Sequence, residues 1–266
     1  METSTFEFRG AQVKVYHRKF GRPVVFLHGF LESSDMWFIL CSQLSKHFNP
    51  ILIDLPGHGA TDGIGYSHAM ELQAALVNFV LIKLRKRKVV LLGHSMGGYV
   101  ALAFADKYPD KLKGLALVNS TARADSSARK ANRDRGIALC KAKPQHFIRQ
   151  SIPLLFQEHH RSSLKAEIKG LVHQALKMNK KYVIASIQGM KSRSSREIIL
   201  KFPPYPILFV AGKKDPVIPW SSSAVQMKSS DAITPLVFEE GGHMSFLENP
   251  DELYTGIRKF LYQCLP

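Results

Sequence analysis

Short apolar segments, each closed by a small or polar residue, recur along this chain, and segments with helical spacing separate them. A continuous apolar run that ends in a turn is typical of a strand buried on both faces of a sheet. Strands that alternate with helices predict a mostly parallel sheet covered by helices on both faces. The strand segments are AQVKVYH (11–17), PVVFLHG (23–29), NPILIDLPGHG (49–59), KVVLLGHS (88–95), LKGLALVNS (112–120), YPILFVAGKKD (205–215) and TPLVFEEGGH (234–243).

The predicted helices connect successive strands, and these connections determine at which edge of the sheet the strands end. Right-handed connections bring the C-terminal ends of parallel strands to a common edge of the sheet, and such sheets bind their ligands there. The residues directly after each strand are therefore the first candidates for a functional site. The predicted helices cover residues 33–48, 67–84, 96–109 and 251–265.

Residues 122–201 interrupt the alternation, because they have helical periodicity and no convincing strand. Three prolines, Pro203, Pro204 and Pro206, mark the return to the sheet. We predict an α/β core formed by residues 1–121 and 202–266, with an eight-stranded sheet. Residues 122–201 are predicted to form a helical cap, or lid, inserted after the sixth strand and packed over the edge where the loops converge.

A serine stands between glycines where one buried strand gives way to a helix. The stretch Gly93-His94-Ser95-Met96-Gly97 follows VVLL and precedes an amphipathic segment, so it fits a G-x-S-x-G turn. Such a turn exposes the serine Oγ and needs small neighbours, because its backbone passes close to adjacent segments. A glycine-rich turn without chemistry fits the five residues alone, but their placement favours a nucleophile.

A serine nucleophile requires a base and a carboxylate that orients the base. Of the eleven histidines, only His243 follows the last predicted strand, and two glycines precede it. Asp215 follows the preceding strand, so Ser95, Asp215 and His243 occur in the chain order that this architecture uses. Asp54 is the rival acid, but it precedes Ser95 and is expected to hydrogen-bond within its own turn.

Two backbone N–H groups are candidates for holding a developing oxyanion. Met96 begins a helix, so its N–H lacks a helical partner and lies at the positive end of the helix dipole. Phe30 follows the glycine of HGF (28–30), and its N–H is expected to point at the same place. His28 is expected to hold this loop by side-chain hydrogen bonds.

Five segments together resemble the α/β-hydrolase superfamily over nearly the full chain, in particular its small carboxylesterases, lactonases and carbon–carbon hydrolases with a helical lid. The resemblance implies that Ser95 is the nucleophile, His243 the base and acid, Asp215 its orienting partner, and Phe30 with Met96 the oxyanion hole. A serine nucleophile disfavours the haloalkane dehalogenase and epoxide hydrolase branches, and HGF lacks the HGGG of hormone-sensitive-lipase-like enzymes. The segments are FLHGFLESSDMW, LIDLPGHGATD, LLGHSMGGYVALAFA, FVAGKKDPVIP and EEGGHMSFLENPDEL.

The expected function is hydrolysis of a small carboxylic ester, thioester or lactone through an acyl-enzyme on Ser95. Two alternatives stay open at this point. One is hydrolysis of a carbon–carbon bond beside a ketone, and the other is a non-catalytic ligand receptor on the same fold. No cofactor and no metal are implied.

The positive charge is concentrated in the helical insertion. Residues 123–201 carry +13 of the chain's net charge of +16. That surface could attract an anionic substrate, an acyl carrier protein or an acidic membrane, although a solvated basic face is the simpler interpretation. The basic stretch LIKLRKRK (81–88) lacks a nucleic-acid-reading fold or interleaved aromatic residues, so no nucleic-acid partner is expected.

We expect a cytoplasmic protein, and we expect it to act as a monomer or weak homodimer. The N-terminal stretch METSTFEFRG lacks the pattern of a secretory signal, and no apolar stretch is long enough for a transmembrane segment. The three cysteines, Cys41, Cys140 and Cys264, are far apart and odd in number, which argues against a disulfide framework or a zinc site.

Overall fold

The computed structural model describes residues 1–265, which form an eight-stranded sheet in the order β1-β2-β4-β3-β5-β6-β7-β8. The β1–β2 and β2–β4 pairs are antiparallel, and the other five pairs are parallel. This confirms the predicted mostly parallel sheet of eight strands. The strands are β1 (Glu2–Phe8), β2 (Ala11–His17), β3 (Arg22–Leu27), β4 (Phe48–Ile53), β5 (Val89–His94), β6 (Leu112–Val118), β7 (Ile207–Gly212) and β8 (Ile233–Phe238).

Helices cover both faces of this sheet, as predicted. Among the described residues, none of them is both long enough and apolar enough to cross a lipid bilayer. The helices are α1 (Phe38–Gln43), α2 (Met70–Lys83), α3 (Met96–Lys107), α4 (Ser127–Ala142), α5 (Pro144–Ser151), α6 (Lys165–Ala175), α7 (Lys180–Ser192), α8 (Glu197–Lys201), α9 (Trp220–Met227), α10 (Ser245–Glu248) and α11 (Pro250–Cys264).

The alternation of side chains along each strand divides the core into two layers. In β3, Val25 and Leu27 pack into the layer that contains α2 and α3. Val24 and Phe26 pack into the opposite layer, which contains α1 and α11. Strands β4, β5 and β7 are buried at every position, which is why their sequences are continuous apolar runs.

The first strand and the first helix differ from the prediction. Strand β1 was not predicted, and it pairs with β2 at the antiparallel edge of the sheet. The helix predicted over 33–48 consists of a 3-10 turn at Ser34–Trp37 followed by α1, which ends at Gln43. It ends early because Phe48 already pairs with Arg22 of β3, and the intervening residues must turn into β4.

The segment between β6 and β7 contains α4 to α8, two short 3-10 helices and, within the described chain, no strand. It contacts the sheet-forming part of the chain through polar groups as well as apolar ones. His68, which precedes α2, donates its backbone N–H to the Ala185 carbonyl of α7 at 2.9 Å, and its Nδ1 lies 3.0 Å from Ser186 Oγ. The division of the chain into core and cap stays a prediction.

We predict that Gly189→Ala destabilises the protein by about 1–3 kcal/mol. A Cβ at position 189 in α7 would overlap the backbone carbonyl of His68, which a side-chain rotation cannot relieve. The free energy of unfolding in urea measures the effect. Gly170→Ala in α6 is the matched control, because a Cβ there meets nothing within 4 Å. It should stabilise the helix by up to about 1 kcal/mol, and equal losses in both variants would contradict the close packing of Gly189 against His68.

Candidate active site

The turn between β5 and α3 holds Ser95 in a strained backbone conformation. Its φ of 49° and ψ of −112° lie in a region that non-glycine residues rarely occupy. A Cβ on Gly97 would lie 2.6 Å from the backbone carbonyl oxygens of Leu27 and His28, and one on Gly93 would overlap the Gly97 backbone. The two glycines are therefore required by the close approach of the turn to β3 and to itself.

The structure brings the predicted serine, histidine and aspartate together from the ends of three strands. Ser95 Oγ lies 2.8 Å from His243 Nε2, and His243 Nδ1 lies 2.8 Å from Asp215 Oδ2. His243 and Asp215 are buried, whereas Ser95 is partly accessible. This arrangement allows a proton to pass from the serine hydroxyl to the imidazole while the opposite ring nitrogen stays bonded to a carboxylate.

The carboxylate of Asp215 is held in its ionised form. Its Oδ1 accepts backbone N–H bonds from Val217 at 2.7 Å and Ile218 at 2.9 Å. Burial acts to raise the pKa of Asp215, but His243 and these two N–H groups outweigh it, so the pKa lies below its ordinary value. An ionised Asp215 accepts a hydrogen bond from His243 Nδ1–H, and the Nε2 lone pair of the ring thereby faces Ser95 Oγ.

Phe30 and Met96 carry the two backbone N–H groups that the sequence analysis predicted as oxyanion donors. Met96 is the first residue of α3, and Phe30 lies in the loop after β3. Within residues 1–265, neither N–H donates a hydrogen bond to the protein. Both donors are therefore free for an acceptor atom brought by a ligand.

His28 and Asp54 hold the loops around the site and do not contact Ser95. His28 Nδ1–H donates to the Gly29 carbonyl at 2.8 Å, and its Nε2 accepts the Leu55 N–H at 2.9 Å, which defines a neutral ring. Burial lowers the pKa of His28, in agreement with that neutral state. Asp54 accepts backbone N–H bonds from Ser34 at 2.8 Å and Ala60 at 2.9 Å, so it lies outside the Ser95–His243 chain.

A buried pair of Glu32 and His94, which the sequence analysis did not identify, connects three parts of the site. His94 Nδ1 lies 3.0 Å from Glu32 Oε2, and His94 Nε2 lies 2.9 Å from the backbone carbonyl oxygen of His243. Glu32 Oε2 also accepts the Gly29 N–H at 2.6 Å. The pair thus joins the loop that carries Phe30, the turn that carries Ser95 and the loop that carries His243.

Hydrogen-bond counting assigns the charge of this pair. Each ring nitrogen of His94 faces an acceptor oxygen, so both must carry a proton if Glu32 is ionised. Glu32 Oε2 accepts two hydrogen bonds, which is consistent with a carboxylate. Burial acts against both charges, but the attraction between the two groups outweighs it: the pKa of His94 is raised and the pKa of Glu32 is lowered. The pair is therefore an imidazolium and a carboxylate.

Asn119 is a second positioning group that the sequence analysis missed. It follows β6 with a φ of 46° and is fully buried. Its Nδ2 donates to the Gly242 carbonyl at 2.9 Å and lies 3.4 Å from Asp215 Oδ2, while its Oδ1 accepts from Ser245 Oγ at 2.6 Å. The only signal in the sequence was its position directly after an apolar strand.

The helical segment between β6 and β7 contributes to the surroundings of His243. The Leu155 carbonyl oxygen accepts the His243 N–H at 3.2 Å, and the Gln157 N–H donates to Glu248 Oε1 at 2.9 Å. A cavity of about 480 Å³ opens beside the site, and its wall includes Phe30, Phe147 and Leu155. No group of three or more His, Cys, Asp or Glu residues in the part of the chain described is arranged to hold a metal ion.

Comparison with known proteins identifies the family. A family model described as the alpha/beta hydrolase fold matches residues 22–250. The chain belongs to the alpha/beta hydrolase fold family. It is an enzyme of the α/β-hydrolase type, as the sequence analysis predicted.

Three relatives show how closely this α/β-hydrolase resembles known members. A thermophilic esterase from Thermogutta terrifontis has a TM-score of 0.90 and 28% identity, with 100% of both chains covered. A monoacylglycerol lipase from Rattus norvegicus is 27% identical, covering 95% of this chain and 82% of that protein. A pimeloyl-[acyl-carrier protein] methyl ester esterase from Xylella fastidiosa is 24% identical, covering 91% of this chain and 96% of that one.

We predict that Glu32→Gln destabilises the α/β-hydrolase by about 3 kcal/mol and lowers kcat about tenfold or more. The substitution removes the charge that stabilises the buried His94 imidazolium, so the ring loses the ionic partner that fixes it against the carbonyl of His243. Urea unfolding and steady-state kinetics with an activated ester measure the two effects. Glu239→Gln is the matched control, because Glu239 forms an exposed pair with Lys213 at 2.8 Å and should leave both values close to wild type.

The stability difference between the wild-type protein and Glu32→Gln should depend on pH. Stabilisation through Glu32 is present above its unfolded-state pKa and is lost as the pH falls through its lowered folded-state pKa. Stabilisation through His94 is present below its unfolded-state pKa and is lost as the pH rises through its raised folded-state pKa. The difference in Tm should be largest between these limits. A difference that stays constant across the pH range would contradict the charged pair.

Proposed function

We propose that this α/β-hydrolase cleaves small carboxylic esters, thioesters or lactones through an acyl-enzyme formed on Ser95. The observation that carries the proposal is the continuous chain from Asp215 through His243 to Ser95, with 2.8 Å at both His243 contacts. The similarity to proteins named as esterases and a lipase supports the substrate class. The two free N–H donors beside the serine support acyl transfer in particular.

The reaction follows from the positions of these groups. His243 Nε2 takes the proton of Ser95 while Oγ attacks the carbonyl carbon, and the carbonyl oxygen becomes an oxyanion that accepts the Phe30 and Met96 N–H bonds. Collapse of this intermediate expels the alcohol or thiol, which takes the proton from His243. Water then attacks the acyl-enzyme with His243 as base, and the acid is released with Ser95 restored.

We infer that residues 122–201 act as the cap that shapes the substrate cavity. In support, Phe147, Leu154 and Leu155 lie on the cavity wall together with Phe30. Ile137, Ile152 and Phe156 of the same segment are buried instead, so they pack the cap onto the core. The cap thus supplies one wall of the cavity, and the loop after β3 supplies another.

We further infer a cytoplasmic enzyme that acts as a monomer or weak homodimer. The three cysteines, Cys41, Cys140 and Cys264, are free thiols, as is typical of proteins from a reducing compartment. Burial raises the pKa of the Cys264 thiol to about 12, so it contributes little thiolate.

We predict that Ser95→Ala abolishes hydrolysis of p-nitrophenyl esters while the circular dichroism spectrum stays that of the wild-type protein. The variant lacks the nucleophile but keeps the backbone turn, and loss of a triad member costs several orders of magnitude in kcat. Full activity in the folded variant would refute the acyl-enzyme. Ser42→Ala, on the exposed side of α1, is the matched control and should keep full activity.

A comparison of substrates separates ester hydrolysis from cleavage beside a ketone. The wild-type protein should hydrolyse p-nitrophenyl esters with a higher kcat/KM than a vinylogous diketone. The reverse order would assign the enzyme to carbon–carbon bond hydrolysis.

Asp215→Asn should reduce ester turnover by about three to four orders of magnitude, because a neutral amide no longer fixes the His243 tautomer.

A further inference from the structure

The cavity beside the candidate active site is positively charged at one end. Within residues 1–265, Arg129 and Arg133 are the only charged residues on its wall, and both come from α4. The same cavity is bounded by Phe30, whose N–H has no acceptor within residues 1–265, and by Val217, two residues after Asp215. A ligand whose carbonyl group reaches the Phe30 N–H can therefore extend towards two guanidinium groups.

A buried carboxylate orients both arginines. Asp125 Oδ2 accepts from Arg133 Nε at 2.9 Å, and Asp125 Oδ1 lies 3.4 Å from Arg129 Nε. The side chain of Asp125 is inaccessible to solvent, whereas those of Arg129 and Arg133 are 30% and 18% exposed. Asp125 thus contacts both guanidinium groups at their Nε atoms.

The terminal nitrogens of Arg129 and Arg133 carry N–H groups that have no acceptor among residues 1–265. Arg129 Nη1 donates to the Val217 carbonyl oxygen at 3.0 Å, and its Nη2 has no partner among residues 1–265. In the same described part of the chain, neither terminal nitrogen of Arg133 has an acceptor. Guanidinium groups held in this way can donate two parallel hydrogen bonds to a carboxylate. Binding costs little, because the side chains have little conformational entropy left to lose.

The local charge balance leaves this end of the cavity cationic. A third arginine, Arg193, also pairs with Asp125, at 2.8 Å, so three guanidinium groups share one carboxylate. Arg193 is buried and lies over the Tyr99 ring, with 3.9 Å between its Cζ and the ring centroid, so its charge does not face the cavity directly. Among the residues that the structure describes, no acidic side chain lines the cavity to neutralise Arg129 and Arg133.

We propose that Arg129 and Arg133 bind an ionised carboxyl group of the substrate, so that the preferred substrates are esters carrying a second carboxylate. This inference rests on the proposed ester hydrolysis and names the substrate class of the same site. A cavity of about 480 Å³ has room for a short straight-chain monoester of a dicarboxylic acid, with its aliphatic chain along Phe30, Phe147 and Leu155. The basic cap acts here as a specificity element.

The first test compares matched substrates on the wild-type enzyme. The charged probes are the monomethyl esters of succinic, glutaric, adipic and pimelic acids, and the neutral probes are the same esters with the free carboxylate replaced by a carboxamide. Methanol release gives kcat/KM for each. At the best chain length, the carboxylate ester should be preferred by about tenfold to a hundredfold. Equal or reversed preference at every length would overturn the inference while leaving ester hydrolysis intact.

A binding measurement separates this inference from the reaction itself. Calorimetry with the Ser95→Ala protein measures the affinity of each probe without turnover. Tighter binding of the carboxylate ester supports the anion site even where the wild-type enzyme hydrolyses neither ester, an outcome that would refute the proposed function alone. Equal affinity for both members of every pair would overturn the anion site.

Substitutions then assign the preference to named residues. Arg133→Gln should reduce the ratio of carboxylate to carboxamide kcat/KM about tenfold or more. Arg133→Lys keeps a charge beside Asp125 but loses the fork, so it should keep the fold and lose part of the ratio. Lys130→Gln removes the same charge from an exposed position of α4 and should leave the ratio unchanged. A ratio that survives in both Arg133 variants would exclude this residue as the recognition group.

Discussion

The close passage of the Ser95 turn over the end of β3 determines the rest of the site. The turn has room only because Gly97 has no side chain where it passes the carbonyl oxygens of Leu27 and His28 at the end of β3. That approach fixes Ser95 in a strained conformation and presents its Oγ to His243. The same approach places the start of α3, which carries the Met96 N–H, beside the loop that begins at His28 and carries Phe30.

The sheet brings the loops of the site near one another, and hydrogen bonds from buried polar groups hold them in place. The Glu32–His94 pair ties the Gly29 N–H to the carbonyl of His243, and Asn119 ties Asp215 to Gly242. Each of these groups is paired, so the cost of burying it is offset only while the loops keep their positions. These side-chain hydrogen bonds therefore fix the backbone positions of the loops that carry the site.

Much of the fold was predictable because buried parallel strands are continuous apolar runs, and the chain order of Ser95, Asp215 and His243 follows the order of the strand ends. Strand β1 was missed because an edge strand exposes one face and lacks such a run. Glu32 and His94 lie 62 residues apart, and the sequence around either residue does not predict its contact with the other. Their pairing depends on how the loop after β3 packs against the end of β5, which the local sequence does not encode.

The central claim is that His243 activates the Ser95 hydroxyl. The most direct measurement is the intact mass of the folded protein after treatment with a fluorophosphonate, followed by mapping of the modified peptide. The account predicts a single adduct on Ser95 that is absent when the protein is unfolded before treatment and in His243→Ala. An unmodified folded protein, or labelling of Ser95 that is equally fast without His243, would contradict it.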